Sequence, residues 1–282
     1  MAIDLHSHST ASDGSVSPAG VVENALEIGL TALALTDHDT QEGLEEARRA
    51  ADSTEIELIP GTELSLEFSS GGMHLVVLWL EPGEGPLQNR LQTLQDGRSG
   101  RNTVILEALT ELGMPITVEE VEAEAGGGSV GRPHIAAVMM QKGYVESIQE
   151  AFDSWLATGK PAYRGRPRLM PEEAIMLARE SGAVPILAHP HTLNIDRAPE
   201  MADLLKRLRS AGLVGLEAVY SAYQQHERDG YSHLARRFEL VASGGSDYHG
   251  SYKPGLNLGN GYGDLVVPES ALEDLRKFAA SP

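Results

Sequence analysis

Short apolar runs alternate with helix-period patterns along most of this 282-residue chain. Residues 2–5 predict a brief strand that ends at His6. Ser17 and Pro18 then supply a helix N-cap and first helical position, Val21, Val22, Ala25 and Leu26 form one apolar face, and Gly29 ends the helix. Residues 31–35 predict a second strand, stopping at Asp37-His38-Asp39, and a helix near 42–51 follows. A strand over 56–59 ends near Gly61-Thr62-Glu63, and another over 73–80 carries His74 at its start. The alternation returns late in the chain. A helix from Pro171, a strand over 184–188, a helix over 199–211 and a strand over 214–219 come first. A helix over 224–238, a strand over 240–243 and a closing helix from Pro268-Glu269 complete it. Such alternation argues for a parallel sheet, closed as a barrel or left open.

Residues 87–163 differ. The periodic Leu87, Leu91 and Leu94, then Val104, Ile105, Leu109 and Leu112 before Gly113, read as helices without strands between them. The expected organisation is therefore a barrel from 1–86 and 164–282 with an inserted helical cap subdomain at 87–163. Gly126-Gly127-Gly128 reads as a flexible loop inside the insertion.

Composition narrows the chemistry. The formal charge of −19 disfavours a long nucleic-acid partner, because non-specific binding needs many Lys and Arg to displace counterions. A small nucleotide at a local site remains compatible with it. The chain has no cysteine, which excludes disulfides and thiolate catalysis. Any metal must be held by His, Asp and Glu, a donor set suited to Mn²⁺, Fe²⁺, Mg²⁺ or Zn²⁺. The N-terminal MAIDLHSH shows no signal-like pattern, and no apolar run approaches the ~20 residues of a membrane span, so the cytoplasm is the expected location.

The ionisable residues fall where chemistry is expected. His6, His8, His38, Glu63, His189, Asp247 and His249 each lie at or just past the end of a predicted strand. In a parallel barrel those ends converge on one face, where active sites form. His6 and His8 are two apart, so on extended chain both imidazoles point to one side and can chelate one ion. Asp247 and His249 repeat the spacing after Gly244-Gly245-Ser246, read as a turn whose small residues admit close backbone approach. Glu63 is placed to bridge two ions, with Asp13 adding oxygen donors. Paired ions suit phosphoryl displacement, one lowering the pKa of a bound water to give hydroxide while others offset charge on the phosphate.

Five motifs resemble the PHP (polymerase and histidinol phosphatase) family: DLHSHSTASDG from Asp4, LTDHD from Leu35, GTELS from Gly61, AHP from Ala188 and GGSDYHG from Gly244. The resemblance implies a distorted (β/α)₇ barrel holding two or three divalent metal ions, Mn²⁺ foremost. It implies His6, His8, Glu63 and Asp247 as one ligand set, Glu63, His74 and His189 as a second, and Asp13, His38 and His249 as a third. Asp13 departs from members that place a histidine there, and only the resemblance recommends His74. Asp37 and Asp39 are expected to orient imidazoles.

GSVGRPHIA from Gly128 and GKPAYR from Gly159 resemble the cap of PHP enzymes acting on nucleotides. That likeness implies Arg132 and His134 as phosphate-holding residues at the reacting centre, with Lys160 and Tyr163 nearby. Glu217, at another strand end, is a candidate substrate contact, and His191 has no role assigned by the likeness. The expected activity is a metal-dependent phosphoesterase for nucleoside 3′,5′-bisphosphates or monophosphates. Alternatives are a histidinol-phosphate phosphatase, a 5′-3′ exonuclease on short oligonucleotides, and a non-catalytic PHP module.

Overall fold

The computed structural model describes residues 2–126, 130–165 and 168–279, with the side chains of 95–99 left out. Gly127 and Gly128 of the expected glycine loop lie outside the described residues. Among the described residues, seven strands form one sheet in sequence order. They are β1 (Ala2–Asp4), β2 (Leu30–Leu35), β3 (Glu57–Leu66), β4 (Met73–Leu78), β5 (Val184–Ala188), β6 (Gly215–Tyr220) and β7 (Val241–Gly245). Backbone bonds from His8 N to Tyr248 O and from Asp247 N to His6 O, both 2.9 Å, draw the two outer strands together just beyond their ends. The sheet is thereby a nearly closed barrel.

One strand runs against the rest. β4 pairs antiparallel with both β3 and β5, which corrects the all-parallel expectation. The physical cause is the short connection after Leu66: it is long enough for a hairpin but too short for a crossover helix. β3 also outruns its predicted end. It pairs with β2 as far as Pro60 and with β4 from Gly61 onward, so Pro60-Gly61 marks a change of partner rather than a stop. A Cβ on Gly61 would lie 2.8 Å from Val77 O, which explains glycine at the crossing.

Helices cover the barrel: α1 (Pro18–Glu27) and α2 (Leu44–Ala51) in the first half, and α7 (Pro171–Glu180), α8 (Ala198–Ser210), α9 (Gln225–Arg237) and α10 (Glu269–Arg276) in the second. Between β4 and α7 come α3 (Pro86–Glu111), α4 (Val118–Glu124), α5 (Arg132–Gln141) and α6 (Ile148–Ala151), the last running into a π-helical turn at Phe152–Leu156. The two apolar patterns expected near 87–94 and 104–112 belong to one continuous α3 of 26 residues. Its first part buries Leu87, Leu91 and Leu94 in the barrel-wall core. Its last part buries Ile105, Leu106 and Leu109 in a separate core with Val121, Ile135, Met139 and Leu156. Among the described residues, no helix is long and apolar enough to cross a membrane.

Candidate metal centre

Backbone anchors deliver the polar residues to one mouth of the barrel. Asp4, fully buried at the end of β1, accepts from Ser246 N (2.9 Å), His6 N (3.2 Å) and Gly259 N (2.8 Å), tying the His6 and Asp247 segments together. Ser7 Oγ donates to Ala34 O at 2.7 Å, so Ser7 faces β2 while its two histidine neighbours face the barrel mouth. Gly244 and Gly245 finish β7 instead of forming a turn, but the close approach is real. A Cβ on Gly245 would meet His6 Cβ at 2.4 Å. Asp37 accepts from Ser9 N, Ser9 Oγ and Ser12 Oγ at 2.6–2.8 Å, and Asp39 accepts from Ser65 N at 3.1 Å. Both aspartates thus hold loop and strand segments, where the sequence suggested imidazole partners.

The reversed β4 explains His74. Its start lies with the ends of the parallel strands, so a residue at a strand start reaches the same mouth. His74 Nδ1 and His189 Nε2 each stand 2.9 Å from Glu63 Oε1. On the other oxygen, His6 Nε2, His8 Nε2 and His38 Nδ1 each stand 3.2 Å from Glu63 Oε2. Asp247 Oδ1 is 3.6 Å from His6 Nε2 and 3.3 Å from His8 Nε2. Asp13 lies 3.4 Å from His249 Nε2, 3.7 Å from His38 Nε2 and 3.8 Å from His8 Nδ1. Three groups are close enough to share an ion: His6, His8, Glu63 and Asp247; His8, Asp13, His38 and His249; and His38, Glu63 and His74. All nine expected ligands therefore border one cluster.

Whether a metal suits them is decided by what these atoms lack. Among the described residues, Glu63 Oε2 receives no aligned hydrogen bond despite its three imidazole neighbours, and His6 Nε2, both His8 nitrogens and His38 Nδ1 are buried with no hydrogen-bond partner. Buried polar atoms are nearly always paired. Five in one cluster call for a group that imidazole lone pairs and carboxylates can satisfy together, which is a divalent cation. Charge agrees. Burial opposes ionisation of Glu63, yet His38, His6 and His74 outweigh it and hold its carboxyl well below the usual range. Asp13 and Asp247 are held low in the same way, Asp13 by His38 and His249, Asp247 by Lys253 and His249. Burial, with His8 and His74 adding to it, lowers His38 to about 3 against the pull of Glu63 and Asp13. Burial also disfavours charge on His8, but Asp247 and Glu63 raise it to about 9, so a cation there would displace a proton.

The remaining candidates separate. Glu217 is buried behind the cluster, with Oε1 2.9 Å from His6 Nδ1 and Oε2 accepting from His189 N at 2.7 Å. Its two oxygens face the candidate ligands His6 and His189, and it is not among the residues lining the cavities beside the cluster. Arg132 opens α5 and borders a cavity with Asp13, His38, His74, Arg101 and Arg168. Its guanidinium lies 5.6–5.7 Å from the Phe152 and Tyr163 ring centroids and donates to Leu156 O. His134 is buried, and its Nδ1 accepts from Gly131 N at 2.9 Å, a helix-capping bond, so it sits beneath that cavity's wall. Lys160 is exposed, away from the cavity lining. His191 stands beside Tyr220 and 3.0 Å from Tyr223 Oη. Sequence reasoning missed Arg101 and Arg168, which carry no motif, and Lys253, which follows GGSDYHG closely enough to have been noticed.

The PHP domain model matches residues 4–235. The chain belongs to the PHP domain family. A 5′-3′ exoribonuclease of Haemophilus influenzae is 34% identical over 94% of this chain and 96% of its own. A 3′,5′-nucleoside bisphosphate phosphatase of Chromobacterium violaceum is 29% identical over 92% of this chain and 90% of its own. A Bifidobacterium adolescentis structure, assigned as a metal-dependent phosphoesterase, superposes with TM-score 0.87 at 27% identity, covering 99% of this chain and 96% of that one. This PHP protein is thus a mixed α/β hydrolase of phosphoester bonds, with a His/Asp/Glu cluster at its barrel mouth whose donors are compatible with a metal ion.

Proposed function

We propose that this PHP enzyme removes phosphate from small phosphorylated nucleotides, with nucleoside 3′,5′-bisphosphates as the leading substrate class. The observation that carries the reading is the cavity shared by Asp13, His38 and His74 with Arg101, Arg132 and Arg168. In a chain of net charge −19, three guanidinium groups beside the metal cluster form an anion site adjoining the reacting centre. Arginine forks match phosphate oxygens in pairs. A substrate with one phosphate at the cluster and another among the arginines uses both.

His6, His8, Glu63 and Asp247, then Glu63, His74 and His189, then Asp13, His38 and His249 are the proposed ligand sets, for two or three divalent ions, with Mn²⁺ expected. Bound there, such ions supply Lewis-acid activation of water and neutralise phosphoryl charge. The chain's own contribution is orientation: Glu217 fixes the His6 ring, Asp37 fixes the loop bearing Asp13, and the arginines set the substrate's register. The insertion at 87–163 serves as a cap, bringing Arg101 and Arg132 over the mouth. Arg168 comes from the barrel side, next to the end of β3.

A second reading, trimming of short 5′-phosphorylated RNA, is favoured by the likeness to the Haemophilus influenzae exoribonuclease. The same arginines would then hold a neighbouring internucleotide phosphate. The test is product analysis with Mn²⁺-reconstituted protein on 3′,5′-bisphosphonucleosides, 5′-AMP, 3′-AMP, histidinol phosphate and a 5′-phosphorylated trinucleotide. Preferred release of inorganic phosphate from the bisphosphate supports the proposal. Mononucleotide release from the trinucleotide favours the exonuclease, preference for histidinol phosphate removes the arginine argument, and no turnover with metal bound points to a non-catalytic module.

A further inference from the structure

We propose that Lys253 is a positioning residue for Asp247: together with Tyr220 it holds one carboxylate oxygen so that the other faces the His6–His8 metal position. The inference rests on the reading of Asp247 as a metal ligand. Its two oxygens have different surroundings. Oδ1 lies 3.6 Å from His6 Nε2, 3.3 Å from His8 Nε2 and 3.4 Å from His249 Nδ1, turned toward the cluster. Oδ2 is turned away from it, accepting from Tyr220 Oη at 2.8 Å and from Lys253 Nζ at 2.5 Å. Lys253 Nζ also reaches the Asp247 carbonyl oxygen at 3.3 Å, so one ammonium grips both side chain and main chain.

Asp247 needs such support. Its φ of 57° puts it in the left-handed region, which an aspartate occupies at a cost and which a β-strand does not extend into. The carboxylate direction is therefore set by side-chain partners. Lys253 is itself delivered by a fixed turn. Gly250–Tyr252 folds the chain back, Ser251 N donates to Ser15 Oγ at 2.7 Å, and a Cβ on Gly250 would lie 2.1 Å from that hydroxyl. The lysine returns to a residue six positions before it and borders the mouth with Glu63, His74, His189 and His249.

Two effects of the ammonium oppose each other. As a like charge it would weaken a neighbouring cation, and as a clamp it would strengthen that cation's ligand. The Lys253 side chain is 33% exposed, so water screens its charge, while Asp247 is 6% exposed and its geometry is fixed within the protein. Orientation should prevail. Partners that orient a metal ligand are worth roughly 10- to 100-fold in metal affinity or activity. Holding Oδ2 also commits Asp247 to one-oxygen ligation.

The experiment is equilibrium titration of the metal-stripped full-length protein with Mn²⁺, by calorimetry and electron paramagnetic resonance, for Lys253→Met, Lys253→Arg, Tyr220→Phe and Asp247→Ala. Lys253→Met and Tyr220→Phe are expected to weaken Mn²⁺ binding by about 10-fold or more and to lower kcat more than they change KM. Lys253→Arg should recover most of the loss. Mn²⁺ binding by Lys253→Met as tight as wild type, or tighter, overturns the inference, because the ammonium would then act only as a repelling charge. Wild-type affinity in Asp247→Ala overturns the ligand reading beneath it. Tyr220→Phe removes a clamp without changing charge, so it decides the matter if the lysine variant fails to fold.

Discussion

Replacing Glu217 with glutamine tests whether the ligand histidines are set from behind. The carboxylate accepts on both oxygens, Oε1 near His6 Nδ1 at 2.9 Å and Oε2 from His189 N at 2.7 Å. An amide has one oxygen. Turned to His189 N–H, it presents its NH₂ to His6 Nδ1, which must then accept, moving the ring proton to Nε2, the nitrogen facing Glu63 and Asp247. Turned the other way, it sets an NH₂ against the His189 N–H. The first state keeps both bonds but puts a proton on the nitrogen that faces the cluster, the second loses the bond to His189 N–H, and both keep the side-chain volume. The expected loss in Mn²⁺ affinity is about 10- to 100-fold, or roughly 1.4–2.8 kcal/mol. Calorimetric titration of metal-stripped protein reads it, with circular dichroism and thermal melting confirming a folded barrel. Glu217→Ala should add a stability loss, since each buried N–H left unpaired costs about 1–3 kcal/mol. A folded Glu217→Gln protein with wild-type Mn²⁺ affinity and turnover would refute the tautomer argument.

Three other outcomes follow from the same geometry. Arg132→Ala and Arg168→Ala should lower kcat/KM for bisphosphorylated substrates about 10-fold or more and leave bound Mn²⁺ unchanged; equal kinetics on every phosphate tested would remove the anion site. Chelation should abolish turnover and lower the melting temperature, reversibly on adding Mn²⁺, because saturating a site at 100 times Kd adds about 2.7 kcal/mol; an unchanged melt with retained activity would contradict a resident metal. Gly245→Ala should destabilise the fold by about 1–3 kcal/mol and reduce metal content, since its Cβ would meet His6 Cβ at 2.4 Å; calorimetric melting and metal analysis check both.

Much of this was readable from the residues, and the misses have physical causes. The strand β5 falls on 184–188 as its apolar run predicts, and most candidate ligands sit at strand ends because parallel strands converge there. His74 broke that rule because a period-2 pattern carries no information on strand direction, and β4 runs backwards. The partner change at Pro60-Gly61 looked like a strand end, since both residues usually mark one. Glu217 was legible as a strand-end residue, but its bonds to His6 and His189 come only from the fold, because a strand-end position does not show which neighbours a side chain meets. Arg101 and Arg168 stand about seventy positions apart in sequence, and only the folded chain brings them to one cavity.

The shared helix α3 ties substrate register to barrel packing. Leu87, Leu91 and Leu94 seat one end in the barrel wall, while Ile105, Leu106 and Leu109 belong to a separate helical core, so a single beam of about 39 Å spans both. Arg101 lies on the span between those footings, about 10 Å beyond Leu94. A tilt of about 5° at the inner footing would carry it about 1 Å, a displacement large enough to cost roughly a hundredfold in rate. A cavity made under Leu91, far from any reacting atom, would thus be felt as a change in which phosphates the enzyme accepts.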